Sequence, residues 1–229
     1  MAHGAKYPDT GGLPDVLPIF PLPGALLLPG GQLPLNIFEP RYLHMIIDAM
    51  GDGRLIGMIQ PKPQPGEDAP RDPDLRENPP VYPVGCCGRI VSFSETGDGR
   101  LLITLLGQSR FRVTDELAVQ NGYRRVRPDF TPFTDDLDDD IPAGLDRARL
   151  LDAAARYLDA NGLKTDWEAI EEAPDALLVT SLAMVCPFDL REKQALLESD
   201  TPATRGALLT ELLEMGARGP APAPGGTSH

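Results

Sequence analysis

Three cysteines, one interior histidine, a run of aspartates and a cluster of arginines are the side chains here that could support chemistry. Cys86 and Cys87 are adjacent. A nucleophilic or redox thiol needs a neighbouring base or cationic pocket to hold it as thiolate. Consecutive residues of a strand point to opposite faces, so the two thiols cannot share one such partner. Both read as small buried hydrophobes, and so does Cys186 beside Pro187. His44 shares a predicted helix face with Arg41 and Asp48, at spacings of three and four residues. No second ligand cluster accompanies it, so this face reads as polar helix surface with a weak ion pair rather than a metal or acid–base site. Asp136, Asp138 and Asp140 alternate like the opening of a calcium loop. Ile141 stands where that loop needs glycine, Pro142 follows, and Arg147 takes the place of the bidentate glutamate. The run reads as a solvated, self-repelling linker, and neither a metal nor a cofactor is expected.

The remaining candidate is cationic. Arg110, Arg112, Arg124, Arg125 and Arg127 fall within one short stretch. Arg110, Arg112, Arg125 and Arg127 could form a ligand patch for acidic peptide or nucleic-acid phosphate. Alternatively, the arginines pair with acidic parts of the same chain. The charge distribution favours the second reading. The formal charge is −13, but residues 86–128 carry seven arginines against four acids, and residues 129–200 carry eighteen acids against six bases. Complementary potentials of this kind orient parts against one another. A strongly acidic whole is repelled by phosphate backbones and anionic membranes at long range.

Enzymatic machinery is missing from the sequence. No Gly-Lys dipeptide occurs, so no phosphate-binding loop is present. No Gly-x-Ser-x-Gly elbow occurs, nor a Ser–Lys pair on a protease-like segment. The chain is therefore expected to be non-catalytic. Hydrophobic residues make up 41% of the chain, enough for a core. No run approaches the ~18 apolar residues of a membrane span. The amino terminus lacks a basic-then-apolar leader and the cysteines are odd in number, which together predict a cytoplasmic protein.

These residues must be positioned by an unusual amino-terminal region. Leu17 to Tyr42 sets short apolar runs between closely spaced prolines. Proline is excluded from helix interiors and central strands, which leaves short bent β segments at Val16–Phe20, Ala25–Leu28 and Leu33–Phe38. Pro40 opens a helix running to about Met50. Further strands are predicted at Arg54–Gln60, Val84–Glu95, Arg100–Leu106, Ser109–Val113 and Tyr123–Phe133, with a tight hairpin at Gly97-Asp98-Gly99. Leu101, Ile103 and Leu105 face one way and Leu102, Thr104 and Leu106 the other, which implies a sheet covered on both faces. Residues 61–80, dense in proline and charge, read as a long mobile loop that could gate a groove.

Beyond the acidic stretch 134–141 the period turns helical. Leu145, Ala148, Leu151, Ala155 and Leu158 form a stripe ended by Asn161-Gly162. Thr165 with Glu168 and Asp189 with Glu192 have capping-box spacing. Thr201-Pro202 starts a last helix, with Leu208, Leu212 and Met215 on one face. Four or five helices are expected. The division is a β unit at 13–133, a linker at 134–141, a helical bundle at 142–218, and flexible tails at 1–12 and 219–229.

Read as ordered motifs, IFPLPGALLLPG, PLNIFEPRY, GCCGRIVSF, GDGRLLITLLG, GQSRFRV and YRRVRPDF resemble the amino-terminal, substrate-binding domain of Lon proteases. They look more closely like bacterial proteins that consist of that domain alone. The resemblance implies an α+β fold: a PUA-like β pseudobarrel with one internal helix, followed by a carboxy-terminal helical bundle. It implies binding of unfolded or exposed polypeptide, in association with an ATP-dependent protease. On that resemblance the chain is expected to end before the point where ATPase and peptidase modules would begin. Phe38, Glu39, Pro40, Arg41 and Tyr42 form the family's strand-to-helix junction. Glu39 and Arg41 are expected to fix that corner, with a direct binding role as the alternative. RNA binding through the arginine strands is the competing function, by analogy with other PUA-like folds.

Overall fold

The computed structural model describes residues 12–63, 79–137, 144–163 and 165–218. Six strands and six α-helices follow the order β1 (Leu17–Pro21), β2 (Gln32–Ile37), α1 (Pro40–Gly51), β3 (Leu55–Ile59), β4 (Val84–Glu95), β5 (Leu101–Gln120), β6 (Tyr123–Asp129), α2 (Arg147–Ala160), α3 (Trp167–Glu172), α4 (Asp175–Val185), α5 (Leu190–Glu198) and α6 (Pro202–Ala217). A kinked 3-10 segment, Thr131–Leu137, follows β6. The α+β class is as the sequence predicts.

The sheet order is β2-β5-β4-β3-β1-β6, and β6 pairs again with β5. Five strands thus return to their starting point, with β2 added outside the ring. Inside it lies a small core drawn from every ring strand: Leu17 and Ile19 of β1, Leu55 and Ile59 of β3, Cys87 of β4, Phe111 of β5 and Val126 of β6. Gly57 and Gly85 make room for Phe111. A Cβ on Gly57 would meet its ring at 2.8 Å, and one on Gly85 at 2.7 Å. A larger core joins the ring's outer face to α1 and to helices α2, α4, α5 and α6.

β1 shows how a proline-rich strand can sit inside a sheet. It pairs with β6 through Leu17, Pro18 and Ile19, and with β3 through Ile19, Phe20 and Pro21. Each proline therefore lies where one side of the strand has no ladder, so its missing donor leaves no gap. Three expectations need correction here. Ala25–Leu28 is not a strand; it is irregular chain whose Leu26, Leu27 and Leu28 are buried. Two backbone bonds hold the neighbouring glycines to β5, Gly30 N–H to Gly107 O and Gly107 N–H to Gly31 O. Arg100–Leu106 and Ser109–Val113 are one strand, because a register shift opposite Cys87 and Gly88 absorbs the extra residue Gln108. The chain from Phe130 to Phe133 leaves the sheet.

The two faces of the β5 start are unequally covered, with Thr104 and Leu106 part-buried on the second. Leu101, Ile103 and Leu105 are buried, while Leu102 is 44% exposed. Among the helices, the buried stripes are displaced by about one residue from the predicted ones. α2 buries Leu150, Ala153, Ala154, Tyr157 and Leu158. α6 buries Arg205, Gly206, Leu209, Thr210 and Leu213, and Met215 is exposed. The α3 cap is Asp166, which accepts from Ala169 N–H, rather than Thr165. The Asp189–Glu192 capping box forms in full.

Of the predicted loop, residues 64–78 lie outside the described residues, as do 1–11, 138–143, 164 and 219–229. The loop's base is pinned by a bridge between Pro61 and Val81. No helix among the described residues is long and apolar enough to cross a membrane.

Candidate functional site

The strand-to-helix junction takes its shape from local chemistry. Glu39 is the residue preceding α1, and Pro40 supplies the first helical position with φ already set. Arg41 Nε and Nη2 each lie 3.0 Å from Glu39 Oε2, so the pair clasps the corner. The Arg41 guanidinium also lies 4.5 Å above the Tyr42 ring. Tyr42 is buried, with its ring centroid 4.1 Å from that of Phe20 on β1. Phe38 is different. It is 62% exposed and lies under the Arg100 guanidinium at 5.8 Å. Glu39, Arg41 and Tyr42 thus build the corner, while Phe38 and the helix-opening Pro40 are exposed.

The arginine group is split by the fold. Arg110 is 2% exposed. Its Nε lies 3.1 and 2.9 Å from the two oxygens of Asp136, and its Nη1 donates to Leu197 O and Ser199 O beyond the end of α5. Asp136 accordingly has a nearly buried side chain, and the aspartate run is not uniformly solvated as the sequence implied. Arg124 is buried against Glu116, at 2.6 and 2.7 Å, and donates to Pro79 O. Arg125 donates to Ala118 O. Arg112 and Arg127 are exposed. A continuous ligand patch of Arg110, Arg112, Arg125 and Arg127 is therefore absent, because Arg110 points inward.

Cys86 and Cys87 do face opposite ways, one into each core. Burial pushes the Cys86 thiol well above its ordinary range, Cys87 to about 12 and Cys186 to about 11. None is poised as a thiolate. His44 is exposed. Asp48 takes its hydrogen bonds from the β5–β6 turn instead of from the helix face: the Tyr123 hydroxyl and Asn121 Nδ2 both donate to it at 2.9 Å. Those bonds, led by Tyr123, hold the Asp48 carboxyl below the usual carboxylate range. No group of three or more candidate metal ligands occurs among the described residues.

Among the described residues, two surfaces near the sheet could hold a ligand. A cleft of about 810 Å³ runs between the end of α1 and the β5–β6 hairpin, lined by Val16, Ile47, Asp52, Arg89, Tyr123 and Arg125 among others. The second is the distal end of the β2-β5-β4 ribbon. There Phe38 at 62%, Leu102 at 44%, Phe93 at 42% and Val91 at 37% stand exposed. Register places Leu102 between Asn36 and Ser94, and Phe93 beside Ile103. Sequence reasoning did not single out Phe93, Leu102 or Arg89. It also passed over Asn121-Gly122, the positive-φ pair that turns β5 into β6, although this dipeptide is a strong hairpin signal.

Comparison with known proteins agrees with this architecture. The family model described as the ATP-dependent protease La (LON) substrate-binding domain matches residues 16–215. The chain is 29% identical over 216 residues to the Lon protease of Anaeromyxobacter dehalogenans (strain 2CP-C), a match covering 88% of this chain and 23% of that protein. It is also 29% identical to Lon protease 2 of Myxococcus xanthus, covering 88% and 24%. The chain thus spans about a quarter of these curated relatives. Among solved structures, the Lon N-terminal domain protein from Xanthomonas campestris aligns with a TM-score of 0.58 and 26% identity, over 86% of this chain and 96% of that one. The N-terminal domain of the Mycobacterium avium complex Lon protease aligns with the same TM-score at 15% identity, over 86% and 97%, a likeness of fold. With one family model spanning most of its length, this chain belongs to the Lon substrate-binding domain family.

Proposed function

We propose that this protein is a non-catalytic recognition module that binds unfolded or exposed polypeptide and serves an ATP-dependent protease. The observation that carries the reading is the apolar end of the β2-β5-β4 ribbon, in a chain whose family is defined by substrate binding. Leu102 on one face of the ribbon and Phe93 on the other, with Phe38 beside Arg100, expose hydrocarbon that no described residue fully covers, and exposed apolar surface of this kind marks binding sites. The arginines, by contrast, are largely engaged within the chain, so nucleic acid is the weaker ligand.

Fluorescence anisotropy with reduced, carboxymethylated α-lactalbumin tests this, with the folded protein as control. The unfolded form is expected to bind and the folded form not. Replacing Leu102 by Asp is expected to weaken binding about ten-fold, since one half-buried leucine contributes roughly 1.4 kcal/mol. Equal affinity for both forms rejects the proposal.

A further inference from the structure

Resting on the polypeptide-recognition reading, the geometry points to one edge as the place where polypeptide is held. We infer that an extended segment adds as a new strand to β4 along Val91–Glu95. β4 pairs with β5 over its whole length. On its other side β3 accompanies only Cys86–Arg89. Ile90 N–H still donates to Arg54 O at 2.8 Å. From Val91 to Glu95 no described residue pairs with that side, so its outward backbone donors and acceptors have no ladder among the described residues. All five residues are exposed.

Other open edges near this surface are blunted. β2 carries Pro34, which has no donor to offer. The outer edge of β5 beyond Val113 carries Asp115 and Glu116. Charge and proline are the usual devices against edge pairing. β4 has neither between Val91 and Ser94, whose sequence is Val-Ser-Phe-Ser. An unprotected edge beside apolar side chains is the arrangement used for strand addition, with backbone bonds giving affinity and alternate side chains giving selectivity.

The occupant is specified by what lines the edge. Phe93 sits opposite Ile103, on the core-facing side of the sheet, and 42% of its surface remains open. An added strand would place its alternate side chains within cross-strand reach of Phe93. Those side chains must be apolar. Glu95 ends the open stretch with an exposed carboxylate, in a chain of net charge −13. The segment is therefore uncharged and alternately apolar, with a lysine or arginine at the end that reaches Glu95.

A fluorescein-labelled Lys-Val-Thr-Val-Thr-Val-Thr peptide tests this, beside two analogues in which one or the other alternate set of backbone amides is N-methylated. N-methylation deletes one edge's donors and leaves the side chains in place. Binding of the parent peptide is expected, with a loss of at least about ten-fold for one analogue. Phe93→Lys should produce a similar loss while retaining a cooperative thermal transition, since Phe93 is half exposed. Undiminished binding of both analogues overturns strand addition and leaves polypeptide recognition standing. Capture of carboxymethylated α-lactalbumin with no binding of the peptide overturns it in the same way. If neither probe binds, the recognition reading fails along with it.

Discussion

Arg110 shows how one side chain can decide the relation between strands and helices. It enters from β5 and meets a carboxylate, three carbonyl oxygens and the Phe133 ring at 4.6 Å. A buried guanidinium is tolerable only when its donors are answered in this way. Removing it strands the Asp136 carboxylate in a poor dielectric. Arg110→Met is therefore expected to cost about 3–5 kcal/mol in urea unfolding; a loss below about 1 kcal/mol would mean that water screens the pair. Arg205, next to it, is less well served. Its Nε donates to Leu196 O, its Nη2 has no partner among the described residues, and burial, with Arg110 nearby, brings its pKa down to about 10. The arginine cluster was legible in the sequence, and so was its pairing with acidic chain. That Arg110 and Arg124 turn inward, and that Arg205 joins Arg110 from α6, depends on residues far apart along the chain.

At the scale of the element, β5 is decisive. Its first part pairs with β2 and β4, and its last part with β6, so one continuous strand closes the ring. Read locally, Gly107-Gln108 looks like a turn. The bulge that keeps the strand continuous exists only because β4 runs alongside. The ring interior is equally exacting. A Cβ on Gly85 would lie 2.6 Å from the Met58 carbonyl oxygen and 2.7 Å from the Phe111 ring. Gly85→Ala is expected to destabilise by about 1–3 kcal/mol through overpacking. Adding Phe111→Leu should recover part of that loss, and a double-mutant cycle measures the coupling. Strict additivity would show that the two sites do not compete for space. The helix stripes were displaced by about one residue for a related reason: a hydrophobic period identifies a helix but not its azimuth when apolar residues spread widely. α6 has leucines on both sides of its true buried line, at Leu208 and Leu212 as well as Leu209 and Leu213.

For the molecule as a whole, charge separates the two functional readings. The excess of acids repels nucleic acid, and two of the five clustered arginines are buried in ion pairs. Gel-shift titration with a structured RNA is expected to show no complex at about 1 μM protein and moderate salt. A submicromolar complex whose affinity falls steeply with salt, and falls further on Arg127→Gln, would restore the arginines as ligand contacts. What the fold offers instead is a ribbon end with exposed apolar side chains, on a body packed around two cores.

Composition, spacing and motif order determined the α+β class, most elements, the family and the inertness of the cysteines. Each of those rests on interactions between residues near in sequence, or on side-chain types that keep their meaning in any context. Tertiary structure decided which arginines face inward, which face of β5 stays more open, and where β4 loses its neighbour. Those properties are set by what lies across a strand or beneath a helix, and the period of a single segment carries no record of its partners.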